Sequence, residues 1–162
     1  PEMKSTGESM GIDGDFGMAF AKSQMSAGND LPTKGSAFIS VKDEDKDKIC
    51  EYAKSLFDIG FKIFGTGRTA DTLNKYGVEC VKINKVNQGS PHIVDYLNDK
   101  KISLVINTTS EKKSIEDSWS LRRAALNNKI PYFTTLAGAK ACTRAINSLK
   151  KNKLNIRKIQ EL

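Results

Sequence analysis

The chain reads as a doubly wound α/β domain, a parallel sheet with helices on both faces, and three observations predict it. From Ser36 onward, short apolar runs alternate with stretches of helical periodicity. The segments joining them are short, as strand–helix–strand units prefer. A length of 162 residues, with 38% hydrophobic and 28% charged residues, suits one folded core with an appendage. Strands that alternate with helices pair in parallel and place the helices on the sheet faces. No internal repeat is present.

The elements follow in order. Residues 1–35 differ from the rest: Ser5–Gly11 is turn-like, and a short amphipathic helix follows with Phe16, Ala19 and Phe20 at helical spacing. Gly28–Gly35 reads as a linker, so this helix has little to pack against and resembles the end of a preceding domain. The strand candidates are Ala37–Val41, Lys62–Gly65, Cys80–Ile83, Ile102–Ile106 and Pro131–Phe133. A first helix starts near Asp43, whose carboxylate is placed to cap it, presents Ile49, Ala53, Leu56 and Phe57 on one face, and ends at Gly60. Shorter helices are expected over Ala70–Tyr76 and His92–Asn98, and longer ones over Ser118–Asn127 and Leu136–Lys150. A last short strand, Leu154–Ile159, is expected at an edge.

Composition excludes several classes. No apolar run approaches the ~20 residues of a membrane span. The start, Pro1-Glu2-Met3-Lys4, has no signal-peptide pattern and reads as the interior of a longer polypeptide. Cys50, Cys80 and Cys142 lack metal-ligand spacing and fall in apolar segments, which predicts buried free thiols in a reducing cytoplasm. His92 is the single histidine, so a two-histidine metal site is excluded. The net charge of +7 draws on Lys150, Lys151, Lys153, Arg157 and Lys158. Cations there suit a helix C-terminus, and no aromatic stacking pattern interleaves with them, which leaves nucleic acid the weaker reading of the basic tail.

In open α/β sheets, ligands bind beyond the carboxyl ends of the strands, where strand order reverses. That edge carries Ser40-Val41-Lys42 and Lys46 after the first strand, and Gly65-Thr66-Gly67-Arg68-Thr69 after the second. Asn84-Lys85-Val86 follows the third strand, and Asn107-Thr108-Thr109-Ser110, with Asp117 and Ser118 beyond, follows the fourth. Glycines let a backbone approach a phosphate, helix N-termini aim N–H groups at it, and lysine supplies charge. Each loop alone reads as a turn with capping residues. Their coincidence on one edge points to an anionic, phosphate-bearing ligand. Gly65–Ala70 formally matches the dinucleotide fingerprint G-x-G-x-x-A. It follows the second strand, however, and Lys85 stands where an acidic residue would end the next one. Candidates for catalysis are thin: Asp71, Asp95, Glu116 and Asp117 lack evident partners, His92 sits at a helix start, and Glu116-Asp117-Ser118 reads as an N-cap.

Several of these motifs, in this order, resemble the C-terminal part of the large chain of carbamoyl-phosphate synthetase. They are Phe38–Val41, Asn84-Lys85-Val86, Pro91-His92-Ile93, Ile106–Ser110, Ile115–Ser118 and Arg122-Arg123, and the likeness runs through all 162 residues. It implies a methylglyoxal-synthase-like fold, a five-stranded parallel sheet with helices on both faces. Residues 1–35 are then the end of the preceding ATP-grasp domain plus a linker, and 36–162 an allosteric domain. By the same resemblance the domain binds UMP, an inhibitor, and IMP, an activator. Their phosphate would meet Lys46, Thr66, Thr69 and Lys85. Ribose and base would meet Asn107, Thr109, Asp117 and Ser118, with Ser40 at the floor. Ornithine is an activator of the family, and Tyr132 and Thr134 occupy its matching positions. Gly67 and Arg68 depart from the family pattern between the two threonines.

The resemblance implies no catalytic residue, cofactor or metal in this stretch. It implies a cytoplasmic parent ligase in pyrimidine and arginine synthesis that uses ATP with Mg or Mn, a glutaminase small subunit, and oligomeric assembly, with neither nucleic acid nor membrane as partner. The rival from another class is a free-standing methylglyoxal synthase, which needs an aspartate in the loop after the third strand. Asn87-Gln88-Gly89-Ser90-Pro91 carries no carboxylate there. A plain interaction module is the third reading, and it leaves the clustered loops unexplained.

Overall fold

Alternation along one central strand sorts the core into two layers. The computed structural model of the chain describes residues 8–108 and 112–155, apart from the side chains of 112–117. Strand β1 (Ser36–Ser40) sends Ala37 and Ile39 to one face and Phe38 to the other, as a period of two requires. It pairs in parallel with β2 (Lys62–Thr66) on one side and β4 (Leu104–Asn107) on the other. β3 (Cys80–Ile83) extends the sheet beyond β2, and β5 (Tyr132–Phe133) beyond β4. Among the described residues the strands run in the order β3-β2-β1-β4-β5, the five-stranded parallel sheet that the family resemblance implies. Chain direction across the sheet reverses between β1 and β4, and the register pairs Ser40 with Asn107 at the carboxyl ends.

One face is covered by α2 (Lys46–Asp58), α3 (Gly67–Lys75) and α6 (Leu136–Lys151). Ile49, Ala53, Leu56, Leu73, Cys142 and Ile146 are buried there against Ile39, Ile63 and Ile106. On the other face, α4 (Ile93–Asn98) and α5 (Lys112–Asn127) bring Ile93, Leu97, Leu121 and Ala125 onto Phe38, Phe64 and Val105. At ~25 cal/mol per Å² of apolar surface removed from water, these two layers supply the main drive to fold. No helix among the described residues is long and apolar enough to cross a membrane.

Several expectations change. The N-terminal helix, α1 (Phe16–Ser26), does find a partner: it packs on α6. Gly17, Met18 and Ala21 are buried, Leu31 joins the core, and Phe16, expected on the packing face, is exposed beneath the Arg144 guanidinium. Asp15 caps α1 through the Met18 N–H and accepts from Ser148 on α6. Second, Asp43 caps nothing: it opens a 3-10 turn, Asp43–Asp45, and its carboxylate is drawn to Lys46 and Arg68. Third, α5 begins at Lys112, so Glu116-Asp117-Ser118 lie inside the helix rather than capping it. Fourth, α3 begins at Gly67, placing Arg68 and Thr69 in its first turn. Gly67 has φ of +34°, a value L side chains rarely adopt, and this lets β2 turn into the helix with no intervening loop. Leu154 and Asn155 are not in a strand, and the rest of the last strand candidate lies outside the described residues.

Candidate functional site

Parallel strands end with their last residues side by side, so one sheet edge collects the polar residues that follow each apolar run. The Ser40 and Thr66 hydroxyls are 2.7 Å apart at the ends of β1 and β2. Thr69, in the first turn of α3, accepts from the Val41 N–H at 3.3 Å and donates to its carbonyl at 3.4 Å. Thr66 and Thr69 are each 3% exposed, so these hydroxyls are built into the floor rather than solvated. Thr66 is the N-cap residue of α3 but makes no side-chain cap bond. Its hydroxyl is committed to Ser40, and the first-turn N–H groups of α3 take no bond from it.

Across the reversal point, Asn107 is buried and its Nδ2 donates to Ser118 at 3.2 Å and to the Tyr132 hydroxyl at 2.8 Å. Thr108 joins the two halves: its N–H donates to the Ser40 carbonyl, and its hydroxyl accepts from the Lys42 N–H at 3.1 Å. Thr108 is buried and was not among the predicted site residues. Only the β1–β4 register, invisible to local pattern, brings it to Lys42.

Charge gathers at the mouth of the edge. Lys46 Nζ lies 2.5 Å from one Asp43 oxygen, and Arg68 Nη1 lies 2.7 Å from the other. The Lys46 side chain is 14% exposed. Hydrogen bonding from Lys46, helped by the nearby Arg68 charge, holds the Asp43 carboxyl below the usual aspartate range. Lys85 is exposed on the turn after β3, beside the end of β2 where Thr66 pairs with Ile83. Its backbone N–H donates to Gln88 Oε1 at 2.9 Å. Asp95 accepts from the His92 N–H and from Ser90 at 2.8 Å each, fixing the start of α4. These bonds lower the Asp95 pKa, the His92 N–H contributing most.

The structure therefore joins Ser40, Thr66 and Thr69 in one contact set, Lys46 with Arg68 through Asp43 in a second, and Asn107, Ser118 and Tyr132 in a third. Thr109 and the Asp117 side chain lie outside the described residues. Tyr132 and Thr134 line a separate cleft of about 450 Å³ between α1, α5 and β5, with the Arg122 guanidinium over the Tyr132 ring. Among the described residues, no group of three His, Cys, Asp or Glu side chains is placed to hold a metal ion.

Fold and edge together define a class: a parallel five-stranded α/β domain whose reversal point is lined with hydroxyl and amide groups and flanked by lysines. The family model described as MGS-like domain matches residues 48–134, and the chain belongs to that family. It is 51% identical over 160 residues to the carbamoyl phosphate synthase large chain of Rhizobium meliloti (strain 1021), which covers 99% of this chain and 14% of that protein. The carbamoyl phosphate synthase large chain, C-terminal section, of Methanopyrus kandleri is 44% identical over 163 residues, covering 100% of this chain and 30% of that one. A solved methylglyoxal synthase from Elizabethkingia anophelis NUHP1 matches with a TM-score of 0.50 at 17% identity, over 70% of this chain and 79% of that one. The last likeness shows the methylglyoxal-synthase-like fold and nothing more. The chain spans about one seventh of the length of the Rhizobium large chain.

Proposed function

We propose that this chain is the regulatory MGS-like domain of a carbamoyl phosphate synthase large chain, and that it binds a nucleoside monophosphate at the carboxyl edge of its sheet. The observation that carries the reading is the hydroxyl floor of the half-buried Ser40 and the buried Thr66 and Thr69, with Lys46 at its mouth and the side-chain-uncapped start of α3 beside it. Buried hydroxyls and backbone N–H groups supply directional bonds to phosphate oxygens, and lysine supplies charge. On this reading Lys85 meets the phosphate from β3, while Asn107, Thr109, Asp117 and Ser118 take ribose and base.

UMP and IMP are the proposed effectors at this edge. Ornithine is proposed at the Tyr132–Thr134 cleft, completed by the preceding ATP-grasp domain, to which residues 1–35 belong on this reading. The parent's chemistry, with ATP and Mg or Mn, its glutaminase small subunit and its oligomeric contacts, is assigned outside this chain. Its proposed setting is cytoplasmic pyrimidine and arginine synthesis. Regulation requires only that the effector bind two states of the parent unequally, typically by ~1–3 kcal/mol.

Titration calorimetry of the full chain with UMP, IMP and ornithine at low ionic strength tests this. Lys85→Ala is expected to weaken nucleotide binding by ~1.5–3 kcal/mol, the worth of a charge-assisted hydrogen bond. Nucleotide affinity unchanged in that variant removes Lys85 from the site. Absence of nucleotide binding by a folded chain refutes the reading.

A further inference from the structure

Arg68 is in a place where helix electrostatics disfavours it, and Lys46 follows directly on the acidic turn Asp43–Asp45. Lys46 is the first residue of α2 and Arg68 the second of α3. The N-terminus of a helix carries the positive end of its dipole, and cations are favoured at the other end. Here two side-chain cations from two different helices converge on a single carboxylate. Each oxygen of Asp43 takes one of the two cations. Within this contact set one carboxylate faces two formal positive charges, while Glu44 on the same turn is paired with Lys42, and Asp45 and Asp47 add further acidic charge at the start of α2. Arg68 is 79% exposed and has no packing reason to lie across this edge.

We propose that Lys46 and Arg68 form a two-cation clamp for the effector's phosphate, and that Asp43 is its internal counter-ion, displaced when the phosphate binds. The proposal rests on the nucleotide reading of the edge and assigns to Arg68 a role that the family resemblance does not give it. A phosphate monoester presents two oxygens at nearly the spacing of a carboxylate and carries about twice the charge at neutral pH. It therefore replaces Asp43 between the same two cations with better charge balance. Asp43 is free to leave: its side chain is 60% exposed and sits on a short 3-10 turn that contributes no buried residue. While in place it keeps Lys46 and Arg68 oriented toward the edge, and it excludes weaker monoanions by competing with them.

The test is UMP binding to the full chain by calorimetry, with uridine as a phosphate-free control. Asp43→Asn removes the competitor and is expected to tighten UMP about three- to tenfold, the worth of one or two exposed ion pairs. Uridine affinity is expected to stay unchanged. Asp43→Glu keeps a competing carboxylate and should stay within about twofold of the parent chain. Arg68→Ala should weaken UMP about five- to twentyfold and leave less for Asp43→Asn to recover in the double variant. All these effects should shrink as salt screens the exposed charges. If UMP binds the parent chain but Asp43→Asn leaves affinity unchanged or lowers it, Asp43 is a positioning residue and the displacement idea fails alone. If no variant binds UMP, the nucleotide reading fails and takes this inference with it. Since Asp43 and Arg68 are solvent-exposed, loss of folding is not expected, and circular dichroism checks it.

Discussion

Gly65 stands one residue before Thr66 in β2, and a methyl group there tests how closely strand and helix are packed beneath the site. A Cβ built at Gly65 would lie 2.9 Å from Cys80 Sγ, 3.2 Å from the Ile39 carbonyl oxygen and 3.4 Å from Ala70 Cα. The first distance is shorter than real Cβ contacts allow. Cys80 is 7% exposed and turns about one side-chain torsion, so it has little room to retreat. The Ile39 carbonyl belongs to the neighbouring strand, paired opposite Gly65 itself. Overpacking of this kind costs ~1–3 kcal/mol, against ~0.4–1 kcal/mol gained because alanine restricts the unfolded chain. Gly65→Ala should therefore destabilise by ~1–2 kcal/mol, which lowers the melting temperature by ~2–4 °C per kcal/mol for a domain of this size. Urea unfolding followed by circular dichroism measures it. Cys80→Ala removes the nearest obstacle, so the double variant should be more stable than the two single losses predict when added. Wild-type stability in Gly65→Ala, or strict additivity in the double variant, would refute the packing argument.

Two further outcomes concern titrating groups. The Asp95 carboxyl is held below its ordinary pKa by the His92 N–H and the Ser90 hydroxyl, so its contribution is full above the unfolded-state pKa, near 4, and is lost as pH falls through the folded value. The gap in urea midpoint between the parent chain and Asp95→Asn should thus be present at pH 7 and close as pH falls below about 4; a gap independent of pH counts against the ionised cap. The Cys80 thiol is pushed up to about 12, by burial first and the Asp71 charge second, and burial raises Cys50 and Cys142 as well. At pH 8 only about one Cys80 in ten thousand is thiolate. A chromogenic disulfide reagent should therefore leave the native thiols unmodified on the timescale in which it modifies all three after unfolding, and rapid native reaction at Cys80 would contradict its burial.

The strands were legible because each is a short run of apolar residues bounded by glycine or polar residues, and a parallel sheet buried on both faces demands that composition. Helix starts were less legible, for an identifiable reason. An aspartate before a helix signals a cap only when no cation competes for it, and Asp43 faces Lys46 three residues on and Arg68 twenty-five residues on. The same holds for Glu116-Asp117-Ser118, which mimics a cap inside a helix already begun at Lys112. The packing of α1 was hidden because its partner lies far along the chain: Asp15 and Ser148 are 133 residues apart. Of the candidate site, residue types and edge were readable from the loops that end each strand. Which hydroxyl meets which was not, since Ser40 finds Thr66, and Thr108 finds Lys42, through strand register alone.

That register also decides how the carboxyl edge and the cleft at β5 relate. Asn107 ends β4 at the reversal point, opposite Ser40, and its side chain is spent on Ser118 in one direction and on Tyr132 in the other. Tyr132 in turn lines the cleft at the β5 edge. One buried amide therefore touches residues of both regions, and it has two N–H donors for the two hydroxyls. An amide so placed is costly to leave unsatisfied. A ligand that took one of its hydrogen bonds would change what the other partner can do without any shift in the backbone. Asn107 bridges the two regions because the strand order sets β4 between β1 and β5.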